Sequence, residues 1–438
     1  MLKNERVDTK SHKATFDAET MRILLVQDTD WLLRNVHQQH HLVERLHERG
    51  HKITVIDHEL LWRTAHTGRL FSKRRVFHNV AKVLSDASVT VIRPRIVLLP
   101  ILVYASMVIT YSREIAAQVR ESPPDVIIGM YVLTNYLALR ASQRNGIPFV
   151  FQVLEPNYEM IPFKLLRPIG KMLERAVYKG ADQVVVINEE LAEYAVRMGA
   201  HPDRISVIRA GIDPERFLPH INSDTVRQHY RIKKDETVLF FVGWLYTFSG
   251  LQEVMTELAA RRDRGDLHLK LLIVGDGDAL EELHDLRTHL GLEDSVILTG
   301  KQPYETVPEF IAAADICLLP AHDNEIMRHI VPIKVYEYMA MGKPVITTTL
   351  PGVIKEFGTD HGVLYAERPE DVVKKAEELI EAGTAKAHGE KARHFVQNSD
   401  WSTIVDQFEL TLRKAVASQS KTGSSNKRSP PVSQYSER

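Results

Sequence analysis

A single cysteine, Cys317, stands in a chain of 438 residues. One thiol excludes a disulfide framework and a cysteine-built zinc site, and it favours a reducing compartment. Set in the apolar run DICLL (315–319), it reads as a small core residue. Charge of one sign is not in excess either. Lys+Arg total 56 and Asp+Glu 57, a formal net charge of −1, which excludes a protein that is basic over its whole surface and wraps nucleic acid. Long apolar runs are missing as well. The longest, IVLLPILVYASMVI at 96–109, falls short of the roughly 20 residues of a spanning helix and contains Pro100 and Ser106, so no transmembrane segment is expected. Residues 1–19 are polar, with no apolar segment of a secretory signal. They are expected to form a disordered extension, and the chain a cytoplasmic protein.

What is present is an ordinary globular composition, 44% hydrophobic and 26% charged, in a length that suggests two or three domains at ~150 residues each. Short β-rich runs alternate with helical patterns, which argues for parallel sheets covered by helices. Strands are expected at 21–26, 52–57, 89–93, 125–129, 148–153, 182–187 and 205–208, with a helix at 36–49 ending at Gly50. Residues 20–217 therefore read as one doubly wound domain. After a polar stretch without strand character, 218–236, the pattern restarts, with strands expected at 237–243, 268–275, 295–298, 315–319, 344–348 and 362–365. This second α/β domain spans 218–400. A helix at 401–417 could brace either domain. The tail 418–438, rich in serine with a charge of +3 from Lys421, Lys427, Arg428 and Arg438 less Glu437, is expected to be disordered. In such sheets ligands bind at the carboxyl ends of the strands.

The most informative segment is PIKVYEYMAMGKPVIT (332–347). A helix opened by Pro332 and closed at Gly342 runs into a strand, so its first turn faces the crevice. Glu337 lies among apolar neighbours, where an unpaired carboxylate is costly to bury but well suited to accept hydrogen bonds from two ribose hydroxyls; a surface glutamate is the other reading of this helix alone. VGDGD (274–278) and FVGWLYTFSG (241–250) are two strand-to-helix turns with glycines that let backbone N–H groups approach an anion. Together the three point to a nucleoside-diphosphate site.

The segments ERAVYKGADQVVVIN (174–188), ISVIRAGID (205–213) with Phe217, LLIVGDGDALEEL (271–283), VILTG (296–300) and KVYEYMAMGKPVI (334–346) together resemble the retaining glycosyltransferases of family 4, which have the GT-B fold. The resemblance runs from Met21 to about Val416. It implies two Rossmann-like doubly wound domains facing a central cleft, and transfer of a sugar from a nucleotide sugar held mainly by the C-terminal domain. No metal and no cofactor beyond the co-substrate are implied. Glu337 matches the second glutamate of the family's Glu-x7-Glu motif and would hold the donor ribose, while the first falls on His329. Gly243, Gly275 and Gly277 would approach the diphosphate, with Gly300 and Lys301 close to the base. The cationic clamp of the turn that usually reads G-R-x5-K-G, or nearly so, is absent, since Gly243-Trp244 and Ser249-Gly250 stand there. Arg209, Arg328 and Lys334 are candidates by position to neutralise the diphosphate, each with ordinary surface charge as its other reading.

On the acceptor side, the family's glycine-rich loop after the first strand is replaced by DTDWLLR (28–34), so Trp31 and Arg34 are candidates to stack on and hydrogen-bond a sugar. His37 and His41 have metal-ligand spacing without a supporting carboxylate motif; cleft hydrogen bonding by His37 or a solvated helix face reads better. Glu155 occupies the region where family members present a His or Asp near the acceptor hydroxyl and is, with His329, the catalytic candidate. Residues 61–95 carry eight basic residues against Asp86 alone, followed at once by the apolar run. Peripheral membrane contact through 61–109, at the inner face and suited to a glycan or lipid-linked acceptor, stands beside a solvated basic surface as a reading. Two alternatives complete the field. A non-catalytic partner subunit of the same fold is motivated by the missing clamp. A dehydrogenase fits the β/α alternation but lacks G-x-G-x-x-G after the first strand.

Overall fold

The computed structural model describes residues 19–33, 36–59, 70–99, 102–161, 163–264 and 269–424. Its first sheet contains β1 (Arg22–Val26), β2 (Lys52–Ile56), β3 (Arg75–Val80), β4 (Val89–Arg93), β5 (Val126–Gly129), β6 (Phe149–Val153), β7 (Gln183–Val186) and β8 (Ile205–Val207). Their order is β3-β4-β2-β1-β5-β6-β7-β8. The second sheet contains β9 (Thr237–Val242), β10 (Leu269–Val274), β11 (Val296–Leu298), β12 (Ile316–Leu319), β13 (Val345–Thr348) and β14 (Val363–Ala366), in the order β11-β10-β9-β12-β13-β14. Central strands such as β6 and β12 are buried along their whole length, as parallel strands covered on both faces must be. Each sheet reverses its direction of winding at its first strand, β1 between β2 and β5 and β9 between β10 and β12. The loops leaving β1 and β9 thus open at the switch points where such sheets bind ligands.

The sequence contained no signal for β3. It pairs antiparallel with β4 at the sheet edge, and its residues are exposed or half-buried, so it lacks the apolar run that betrays a parallel strand. The apolar run 96–109 is no single element. The helix Leu102–Glu121 begins inside it and buries Val103, Met107 and Tyr111 on its inner face.

The last helix, Trp401–Ser424, packs on the first sheet's domain and extends into the segment expected to be a disordered tail; residues 425–438 lie outside the described residues, as do 1–18. The chain crosses back through a bridge in which Ile212 N donates to Ser399 O (2.6 Å) and Trp401 N to Ile212 O (3.1 Å). A Cβ on Gly211 would lie 2.7 Å from the Trp401 ring, so only glycine admits the indole there. Trp401 stacks on His41 with ring centroids 4.3 Å apart, and Arg49 pairs with Asp406 (2.7 Å) and Glu409 (3.0 Å). His41 is thereby spent on packing, and no group of three or more potential metal ligands occurs among the described residues. Among those residues, too, no helix is long and apolar enough to cross a membrane.

Candidate active site

Between the two sheets lies a cavity of ≈ 500 Å³, lined from both domains. Its floor on the second-sheet side is built by the two glycine turns. Gly243 (φ +142°) and Gly275 (φ +150°) sit in conformations that favour glycine, and a Cβ on Gly275 would lie 1.9 Å from the Gly243 carbonyl oxygen. Packing of one turn on the other therefore requires glycine at 275 before any ligand enters. Gly277 is constrained alike, its Cβ position lying 2.5 Å from Leu245 N. Gly300 (φ +70°) holds the second turn by accepting from Gly275 N at 3.0 Å. Gly243 and Gly275 line the cavity, whereas Gly277 and Gly300 support it from behind.

The helix Ile333–Ala340 starts after Pro332 and is followed by Gly342 at φ +68°, as its sequence signals require. Lys334 and Glu337, three residues apart, point from its first turns into the cavity. The Lys334 ammonium lies 3.8 Å from the Phe241 ring centroid, in the space a side chain at Gly243 would need, 2.5 Å from such a Cβ. Burial pushes its pKa down to about 7, against the pull of Glu337. Glu337 is buried, and desolvation pushes its carboxyl up to about 7 despite a hydrogen bond from Tyr304 and the charge of Lys334. The Tyr304 hydroxyl donates to Glu337 Oε1 at 2.8 Å. Such a bond to a carboxylate is worth about 2 kcal/mol, and it favours the ionised form. Tyr304→Phe should therefore lower stability to urea more at pH 8 than at pH 5, where Glu337 is protonated in either protein and the bond lost is a weaker, neutral one. An equal loss at both pH values would count against this pairing.

The first-sheet side contributes Leu32, His37, Lys82 and Glu155. His37 caps the helix Gln38–Glu48, its backbone N–H donating to His40 Nδ1 at 3.0 Å. Glu155 follows the end of β6. Lys82 Nζ donates to Leu32 O (3.2 Å), and Lys301 Nζ reaches across from the second domain to Leu33 O (2.6 Å). Burial, then the neighbouring Lys301 charge, lowers the Lys82 pKa to about 8. Three ammonium groups thus border the cleft where the family's clamp residues are missing.

Several expected contacts lie elsewhere. Trp31 is fully buried, packed on His40 with centroids 4.3 Å apart, because its backbone N–H donates to Asp57 Oδ2 (2.8 Å) and turns the indole into the core. Arg34 is outside the described residues. Arg209 is drawn behind the cleft by two carboxylates, Glu189 of its own domain and Glu356 of the other, the latter at 2.8 Å. Arg328 is half-exposed and pairs with Asp323 (3.1 Å) and Glu325 (3.5 Å). His329 is buried against Tyr194, its Nδ1 3.3 Å from Glu190 Oε1 and its carbonyl accepting from Asn188 Nδ2 at 3.0 Å. These contacts join the two domains, so His329 occupies their interface and not the cavity wall. The basic count of 61–95 is also partly internal. Arg93 is buried on Asp57 (3.0 Å) and Asp30, and Arg74 pairs with Glu114 (2.8 Å).

Lys82 and Tyr304 were not singled out by the sequence. Lys82 sits between β3 and β4, and without β3 it counts only as one more surface cation. Tyr304 falls in the polar turn KQPYET, which has no motif of its own.

Two doubly wound domains facing each other across a shared cleft define the GT-B architecture. The profile of the family described as "Glycosyltransferase Family 4" matches residues 38–216, and that of "Glycosyl transferases group 1" matches 236–382. The chain belongs to the GT-B glycosyltransferases of the family 4 type. It is 28% identical over 249 residues to a D-inositol 3-phosphate glycosyltransferase of Thermomonospora curvata, a match covering 52% of this chain and 56% of that enzyme. It is 26% identical to the putative teichuronic acid biosynthesis glycosyltransferase TuaC of Bacillus subtilis, covering 66% and 68%. The match thus spans little more than half the length of the first of these relatives. Among solved structures, sucrose-phosphate synthase of Thermosynechococcus elongatus superposes with a TM-score of 0.72 at 18% identity, covering 91% of this chain and all of that one. HepE of Anabaena in complex with UDP-glucose superposes at 0.67 and 17%, covering 90% and 100%.

Proposed function

We propose that this cleft transfers a sugar from a nucleoside-diphosphate sugar to an acceptor hydroxyl with retention of anomeric configuration. The observation that carries the reading is Glu337 and Lys334 side by side over the Gly243 and Gly275 turns. A carboxylate accepts two ribose hydroxyls and an ammonium meets the diphosphate. The bond from the anomeric carbon to the diphosphate breaks, a bond from the acceptor oxygen to the same face forms, and the acceptor proton passes to the departing phosphate. No separate base and no metal is then required. We assign Glu155 and His37, which line the opposite wall, to the acceptor. The UDP-glucose complex of HepE supports a uridine donor, and the name of the Thermomonospora relative a phosphorylated acceptor. A glycan or lipid-linked acceptor at the inner membrane face also fits, with contact through the exposed Lys73, Arg75, Arg95, Leu99, Leu102 and Ile109 of the 61–109 segment. A thermal-shift panel of UDP-, GDP-, ADP- and CMP-sugars tests the reading. One of them should raise the melting temperature, and no shift with any would overturn it.

Donor affinity should also peak near pH 7. Below it, a protonated Glu337, with its pKa of about 7, offers one acceptor fewer to the ribose. Above it, Lys334, also at about 7, loses the charge that faces the diphosphate. Calorimetry at pH 6 should thus register proton release on binding and at pH 8 proton uptake. A flat profile from pH 6 to pH 8 would remove both groups from the donor site.

A further inference from the structure

On the first domain, away from the cleft, the turn and helix at 163–180 present an unusual outer face. Leu165 is 90% exposed, Ile169 53% and Met172 62%. Spaced by four and then three residues, they form one apolar stripe that runs from the 3-10 turn Lys164–Leu166 onto the outside of the helix Arg167–Gly180. Isolated exposed apolar residues are ordinary, but a contiguous row at helical spacing is not.

The stripe continues onto a neighbouring element. Phe163, itself exposed, meets Tyr104 edge-on with centroids 6.3 Å apart. Tyr104 belongs to the helix Leu102–Glu121, which leaves Leu102, Val108 and Ile109 exposed.

Charge lies beside the stripe with a single sign. Lys164, Lys171, Arg175 and Lys179 are all exposed, and the last three recur every fourth residue. The one acid of this helix, Glu174, faces inward and accepts from Tyr158 N (2.9 Å) and Asn157 N (3.4 Å). An apolar row bordered by lysine and arginine is complementary to a surface that is apolar just beneath an anionic layer. A soluble partner would have to supply both features at once, whereas an anionic bilayer supplies them everywhere.

We infer that residues 163–179 form a docking surface for an anionic lipid bilayer. The inference names a different element from 61–109 and does not depend on the donor assignment. Its link to the cleft is structural. Glu174 bolts the inner side of this helix to the backbone just after Glu155, so docking holds the acceptor side of the cavity near the lipid surface.

The test is flotation of the full chain with vesicles of phosphatidylcholine alone, or of phosphatidylcholine containing a quarter phosphatidylglycerol. The parent protein should float with the anionic vesicles and remain at the bottom with the neutral ones. Leu165→Ser/Ile169→Ser/Met172→Ser removes the stripe, and Lys164→Glu/Arg175→Glu/Lys179→Glu reverses the charge. Both should lose flotation, the second by at least about a hundredfold in partition coefficient. All six side chains are exposed, so both variants should retain the parent's melting temperature and its affinity for a donor sugar. Retained flotation in both variants, or no flotation of the parent, overturns the inference. So does a parent dimer that the first variant dissociates without any vesicle binding, which would assign the stripe to a second copy. Loss of donor binding alone, with flotation intact, would count against the donor site and leave this surface standing.

Discussion

Glu337→Ala should weaken binding of the donor sugar by at least about a hundredfold in calorimetry. Glu337 projects from the helix Ile333–Ala340 into the cavity, and each hydrogen bond from a hydroxyl to a carboxylate is worth ~1.5–3 kcal/mol. Two such bonds to a ribose account for the loss. Glu337→Gln separates binding from folding. Because burial raises the Glu337 pKa to about 7, its ionisation opposes folding; the stability it permits is full below the ordinary glutamate range and is lost as pH rises through about 7. The amide removes that cost, so Glu337→Gln should resist urea better than the parent at pH 8 and equally at pH 4. Its donor affinity should still fall, since the amide has one acceptor oxygen in place of two. Donor affinity equal to the parent's in the alanine variant would end the ribose assignment.

Lys334→Ala should lower kcat by about a thousandfold while changing donor affinity far less. Negative charge grows on the departing diphosphate as the anomeric bond breaks, and a preorganised donor at that point contributes ~10²–10³ in rate. Lys334 is preorganised by its surroundings. Its ammonium rests on the Phe241 ring and occupies the space that glycine leaves at 243. Lys334→Arg should not restore the rate, because the wider guanidinium would meet the Gly243 turn. Steady-state turnover with saturating donor is the measurement. An unchanged kcat in the alanine variant would transfer the role to Lys82 or Lys301, the other ammonium groups at the cleft.

The parallel strands of both sheets were legible because burial on two faces favours apolar runs, as in β6 and β12. β3 was not, since an edge strand half-open to water needs no such run. In the site the same division holds. Glu337 and Lys334 were legible through the proline, the glycine and the apolar spacing of one helix. The placements of Trp31, Arg209 and His329 were not, for each depends on a partner far along the chain. The carboxylate of Asp57 holds the turn that buries Trp31, Glu356 draws Arg209 aside, and Glu190 stands beside His329.

By itself the sequence determined the number and kind of the layers, the two glycine turns and the helix that carries Glu337. All of these are set by local spacing and by the cost of burying or freeing backbone groups. Tertiary structure alone added Lys82 to the cations that border the cleft and drew Arg209 away to join the domains. It also brought Tyr304 to Glu337, across a polar turn with no signal of its own. The reason is that charge carries no information about its partner. A lysine or arginine reads alike in sequence whether it faces a substrate, a distant carboxylate or water, and only the fold sets which of these lies within reach.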